Sequence, residues 1–102
     1  MMKKLLKLTP GKIIQVIESK KDELRQYGVR RIALFGSFLK KTNHSKSDID
    51  FLVVFDHPTF DNYMELKFFL EKLFQRKVDI VVEENLKPAL KYIKEEALYA
   101  RY

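Results

Sequence analysis

The sequence has no cysteine, so disulfides and thiolate chemistry are excluded and a reducing compartment is compatible. It also lacks a long apolar run. Met1 to Leu8 carries lysines, but its apolar stretch is far too short for a signal peptide or a membrane span. The expectation is a cytoplasmic protein with no membrane contact. Glycine and proline number only three each, and neither gathers into a stretch. No linker, internal repeat or low-complexity segment follows, and 102 residues read as one domain, 1–102. Such a length buries roughly two-thirds of the unfolded surface, enough for a modest core.

What is present is ordinary globular material: 46% apolar and 33% charged residues. The net charge of +6 favours an anionic contact, whether nucleotide, nucleic acid or acidic protein. The lysines are spread along the chain from Lys3 to Lys94, which reads as a solvated surface. Single-strand binding would also want exposed aromatics beside the basic groups. The phenylalanines sit mostly at core spacing, so nucleic acid is the weaker expectation.

Thr9-Pro10 reads as an N-cap and first helical position, and Ile13, Ile14, Val16, Ile17 and Leu24 give an apolar face. Gly28 fits the stop, so one helix is expected over Pro10 to Tyr27. Arg31 to Phe35 is a short buried strand ended by Gly36-Ser37, after which Phe38 to Lys41 suits one helical turn capped by Ser37. Asp48 to Phe55 is the strongest strand pattern. Thr59 caps a second helix to about Gln75, with Phe60, Tyr63, Leu66, Phe69, Leu70, Leu73 and Phe74 inward. Lys77 to Val82 is a third strand, and Pro88 opens a last helix docking through Leu90, Ile93, Ala97 and Leu86. The expected class is α+β: a small mixed sheet with helices packed against it. The order of the strands stays open.

The chemistry lies in one constellation. Asp48 and Asp50 are two apart on a strand, hence on one face about 6.5–7 Å apart, with Ile49 turned to the core. Folding alone gives no reason to place two like charges there. A hard divalent cation such as Mg²⁺, which prefers carboxylate and phosphate oxygens, resolves the conflict. Asp79 repeats the puzzle inside Val78-Asp79-Ile80-Val81-Val82, where aspartate has poor strand propensity. Were that strand beside the first, three carboxylates would form the ligand set of a two-ion phosphoryl-transfer site. Gly36 at a strand end lets backbone approach a phosphate, Ser37 adds a hydroxyl, and Lys40 follows one turn on.

Each part has a plainer explanation. A Gly-Ser pair is usually a turn, Asp48 could cap a loop, and Asp79 could blunt an edge strand. Jointly these are rarer. Gly-Ser, ten residues, then Asp-x-Asp arises by chance on the order of once in a thousand such chains, at usage of about 5–7% per residue type. His44 and His57 read as solvent-facing, Asp56 as bounding a turn, and Glu83-Glu84 and Glu95-Glu96 as helix-end or surface charges.

These motifs resemble the minimal nucleotidyltransferases, the MntA-type antitoxins of the DNA polymerase β-like superfamily. The resemblance covers nearly the whole chain: Leu34-Phe35-Gly36-Ser37-Phe38, Ser47-Asp48-Ile49-Asp50, Lys77-Val78-Asp79-Ile80-Val81, and the tail from Leu86-Lys87-Pro88 to Glu96-Ala97. It implies a polymerase β-like palm, with ATP as substrate and Mg²⁺ as cofactor. Gly36 and Ser37 would hold the β- and γ-phosphates, Asp48 and Asp50 both metals, and Asp79 the second metal while helping to activate the acceptor. It further implies the antitoxin of a type VII-like toxin–antitoxin pair, transferring AMP to a tyrosine hydroxyl of a HEPN ribonuclease toxin. The alternative is an antitoxin that neutralises a HEPN partner by binding alone. Family members often carry Arg-Gly where this chain has Lys40-Lys41, so Lys40 keeps a cation without the guanidinium fork. A surface for the partner or for self-association, as homodimer or hetero-oligomer, is expected among Phe60, Phe68, Phe69, Tyr92, Tyr99 and Tyr102.

Overall fold

The computed structural model describes residues 8–44 and 47–101; readings that fall on Met1 to Lys7, on Ser45-Lys46 and on Tyr102 lie outside it. The elements run α1 (Pro10–Ser19), α2 (Lys21–Gln26), β1 (Val29–Phe35), α3 (Ser37–Lys40), β2 (Ile49–Phe55), α4 (Phe60–Phe74), β3 (Val78–Val82), 3-10 turns at Glu83–Asn85 and Pro88–Leu90, α5 (Tyr92–Glu96) and β4 (Leu98–Tyr99). The sheet order is β3-β2-β1-β4. β2 and β3 are parallel, with α4 as the crossover, while β1 runs antiparallel to both β2 and β4. The fold is thus α+β with a mixed sheet. Among the described residues no helix is long and apolar enough to cross a membrane.

Strand alternation divides the sheet into two faces. Ile32, Leu34, Ile49, Phe51, Val53, Val78 and Ile80 face α1, α2 and α4, and with Ile13, Ile17, Leu24, Leu66 and Leu70 they form the main core. The opposite face carries Ala33, Leu52 and Val81, covered by Leu86, Ile93, Ala97 and Tyr99 from the C-terminal segment. Asp50 and Asp79 belong by alternation to this second face, at the end where β1 leaves the sheet and β2 enters it.

The first helix departs from the single span Pro10 to Tyr27. It breaks at Lys20 (φ −111, ψ 26), where the Lys20 amide bonds Ile17 at 3.0 Å and the Ser19 hydroxyl donates to the Val16 carbonyl at 2.6 Å. Serine competes in this way for helix carbonyls, and the apolar stripe skips a turn between Ile17 and Leu24. Gly28 then takes the left-handed conformation (φ 79) expected of a helix stop. β1 begins at Val29, two residues earlier than the apolar run, across an irregularity between Val29 and Arg31.

Thr9 and Thr59 cap α1 and α4 through their hydroxyls, each 3.1 Å from a main-chain amide. Phe60 is not inward: it is 75% exposed at the first position of α4. The last helix expected from Pro88 is instead one 3-10 turn, Pro88–Leu90, and the five-residue α5, with Leu90 exposed and Leu86 buried. β4 has no strand pattern of its own. It exists because Tyr99 pairs with Ala33 and Leu98 with Leu34 on the free edge of β1.

Candidate active site

The site grows from three strand ends. Asp50 lies opposite Asp79 across the parallel β2–β3 pair and opposite Phe35 across the antiparallel β1–β2 pair. Its two strand neighbours therefore bring the third aspartate and the Gly36-Ser37 turn to one place. Gly36 follows Phe35 directly with φ 80, ψ −153, in a region that side-chain-bearing residues rarely adopt. A Cβ built there would sit 2.1 Å from Asp50 Oδ2. The glycine is thus required twice, by its backbone angle and by the carboxylate packed against it.

The helical turn starts at Ser37, one residue earlier than the Phe38 start, with Gly36 as N-cap and no side-chain cap. First-turn amides have no partner within their own helix. Phe38 anchors the turn in the core with 2% exposure. Lys41 closes it in the left-handed conformation (φ 62, ψ 30), so a lysine carries the geometry that a glycine adopts more cheaply. Lys40 is exposed, and its ammonium lies 3.8 Å from the Glu96 carboxylate on α5.

β3 is held in register by α4. The Val78 amide donates to Glu71 Oε2 at 3.1 Å, and the Val78 carbonyl accepts from Lys67 Nζ. On its inner side, the Ile49 amide donates to the Lys77 carbonyl at 3.0 Å. Both edges of the strand entry are therefore fixed within two residues of Asp79. The donation from Val78 holds the Glu71 carboxyl below its ordinary value, with Lys67 adding to it. β3 is also an outer strand, so Asp79 places a charge on an exposed edge.

The electrostatics single out Asp50. Burial, then Asp79, then Asp48 push its carboxyl up to about 6 from an ordinary 3.8. Asp48 precedes β2 and is exposed, as is Asp79. The three carboxylates neighbour one another but do not enclose a point. Among the described residues, no three His, Cys, Asp or Glu side chains form a metal-sized cluster. The donor set, carboxylate oxygens only, suits a hard divalent ion.

Sequence reasoning missed one buried polar centre. Glu83, taken for a helix-end or surface charge, is 8% exposed. It accepts from the Tyr99 hydroxyl at 2.8 Å and from Arg31 at 3.1 Å, with Lys94 Nζ 3.3 Å away. Burial alone would raise its carboxyl, but Tyr99, Lys94 and Arg31 outweigh burial and hold it below its ordinary value. Burial and the bond to Glu83 push the Tyr99 hydroxyl up to about 12. The signal available in the sequence was alternation, since Glu83 continues the face of Asp79 and Val81. This centre lies at the opposite end of the sheet face from Asp50 and pins the C-terminal segment. His44 and His57 are exposed, and Asp56 pairs with Arg30 at 2.9 Å.

A strand-paired acidic couple facing a glycine turn, on a mixed sheet with a parallel crossover, suits the handling of a phosphate-bearing substrate. The profile of the nucleotidyltransferase domain matches residues 13–101, and this chain belongs to that family as an enzyme of that class. Protein adenylyltransferase MntA of Thermococcus cleftensis is 36% identical over 95 residues, covering 90% of this chain and 96% of the relative. A solved structure assigned to the minimal nucleotidyltransferases matches with TM-score 0.69 and 30% identity, covering 83% of this chain and 93% of its own. A toxin–antitoxin crystal structure with AMP-PNP matches with TM-score 0.58 and 30% identity, over 72% of this chain and 62% of its own.

Proposed function

We propose that this chain transfers AMP from ATP to a tyrosine hydroxyl of a partner HEPN ribonuclease toxin, as the antitoxin of the pair, in the cytoplasm. The observation that carries the reading is the register: Asp50 faces Asp79 on one side and the Phe35-Gly36 strand end on the other. The relatives support the acceptor class, since one is a protein adenylyltransferase and another is a toxin–antitoxin structure with AMP-PNP.

In this reading Asp48 and Asp50 would hold both Mg²⁺ ions and Asp79 would hold the second. When bound, the ions neutralise the triphosphate and lower the pKa of the attacking hydroxyl. Gly36 and Ser37 hold the β- and γ-phosphates through main-chain amides and the Ser37 hydroxyl. Lys40 adds a cation that a phosphate would share with Glu96. The acceptor oxygen forms a bond to the α-phosphorus, the bond from that phosphorus to pyrophosphate breaks, and the Asp79 carboxylate receives the acceptor's proton. Asp79 is exposed, so a hydroxyl presented by another protein can reach it.

The test is transfer of labelled AMP to a co-expressed helical partner by wild type and by the Asp48→Asn, Asp50→Asn double variant. The wild type is expected to label the partner and the variant to lose labelling while still binding. If the double variant neutralises the partner as well as wild type does, neutralisation by binding alone is the correct reading.

A further inference from the structure

Arg76 stands between α4 and β3. Gln75 before it closes α4 in the left-handed conformation (φ 55), and the Arg76 amide reaches back to the Glu71 carbonyl at 3.4 Å. From there the guanidinium carbon lies 5.2 Å from the centroid of the Phe38 ring, and Nη1 donates to the Ser47 carbonyl at 3.1 Å.

These residues belong to three separate arms of the site. Phe38 lies in the turn opened by Gly36 and Ser37. Ser47 immediately precedes Asp48. Arg76 itself lies three residues before Asp79. Strand pairing ends at Phe35 opposite Asp50 and begins at Ile49 opposite Val78. Ser37 and Asp48 therefore lie just beyond the last paired residues, where the ladder no longer sets their separation.

Resting on the nucleotidyltransferase reading above, we propose that Arg76 is a positioning residue that fixes the phosphate turn and the Asp48 arm relative to Asp79. The chemistry suits arginine. A planar guanidinium can lie on an aromatic face and donate in its own plane at the same time, whereas an ammonium is a point charge. The Phe38 ring is a firm platform because it is itself buried.

The experiment compares wild type, Arg76→Ala and Arg76→Lys by two readouts. One is AMP transfer at varied ATP and saturating partner, corrected for folded fraction. The other is amide hydrogen exchange in nucleotide-free protein. Arg76→Ala is expected to lower kcat about tenfold to a hundredfold, as misplaced reacting groups do, with a much smaller change in KM for ATP. Exchange is expected to speed up in residues 36–40 and 47–49 together, while α1 and the centre of β1 keep their protection. Arg76→Lys should recover part of both effects. The proposal is overturned if Arg76→Ala leaves both segments and kcat unchanged. It is equally overturned if exchange rises throughout the chain while turnover per folded molecule stays at wild-type level. Should the wild type transfer no AMP, the functional reading falls, and the exchange pattern alone decides the role of Arg76.

Discussion

At the residue scale, the site rests on side chains that work against folding. Asp50 is the plainest case. Its carboxyl stands at about 6 against an ordinary 3.8, through burial, Asp79 and Asp48. A folded-state value above the unfolded one means the stability linked to this group is full below 3.8 and lost as pH rises through about 6. Asp50→Asn should therefore raise the metal-free stability at pH 7.5, by no more than about 1 kcal/mol once solvent screening is allowed for, while abolishing AMP transfer. Thermal melts at pH 4 to 8 check this, and an equal pH slope in variant and wild type would contradict it. Gly36→Ala places a methyl 2.1 Å from Asp50 Oδ2 at a left-handed backbone position. A loss of about 1–3 kcal/mol and of at least about a hundredfold in kcat is expected from urea titration and AMP transfer. Lys41→Gly has the opposite sign. Releasing a lysine from φ 62 outweighs the extra freedom of glycine in the unfolded chain, a net gain of about 0.5–1 kcal/mol measurable as a higher melting point.

At the element scale, local signals were legible where one chemistry ruled. Thr9 and Thr59 marked helix starts, Gly28 marked a stop, and the run from Asp48 to Phe55 marked the central strand, because caps, turns and buried strands are written in adjacent residues. The break at Lys20 was not, since it arises from a serine hydroxyl taking a carbonyl inside an otherwise continuous pattern. β4 was invisible because two residues become a strand only when an edge is offered to them. Glu83 was misread for a related reason: its partners Arg31, Lys94 and Tyr99 come from three other elements. Its depressed carboxyl contributes stability that is present above its ordinary value of 4.5 and lost as pH falls through the lower folded-state value. Glu83→Gln is expected to cost about 1–3 kcal/mol near neutral pH by leaving buried partners unmatched. Its stability should also fall less steeply than wild type below pH 4.5. Denaturant titrations at the two ends of that range test both expectations.

At the scale of the whole molecule, the mixed sheet assembles distant residues into one site. Asp48-Ile49-Asp50 was legible in the sequence as a candidate, because two carboxylates so close serve no folding purpose, although only Asp50 lies on the strand and Asp48 just precedes it. Its union with Asp79 and Gly36 required the strand order β3-β2-β1, which no local pattern encodes. The lysines Lys40 and Lys41 were legible as a departure from the family, but their roles were not. One reaches Glu96, and the other holds a left-handed turn. The proposal is that Asp48 just before β2 and Asp50 on it, with Asp79 beside them, carry AMP transfer to a partner protein. It is tested most directly by labelled ATP, Mg²⁺ and a co-purified helical partner, with wild type set against the Asp48→Asn, Asp50→Asn variant. AMP is expected on a partner tyrosine with the wild type and none with the variant; equal labelling by both would rule out transfer through these aspartates.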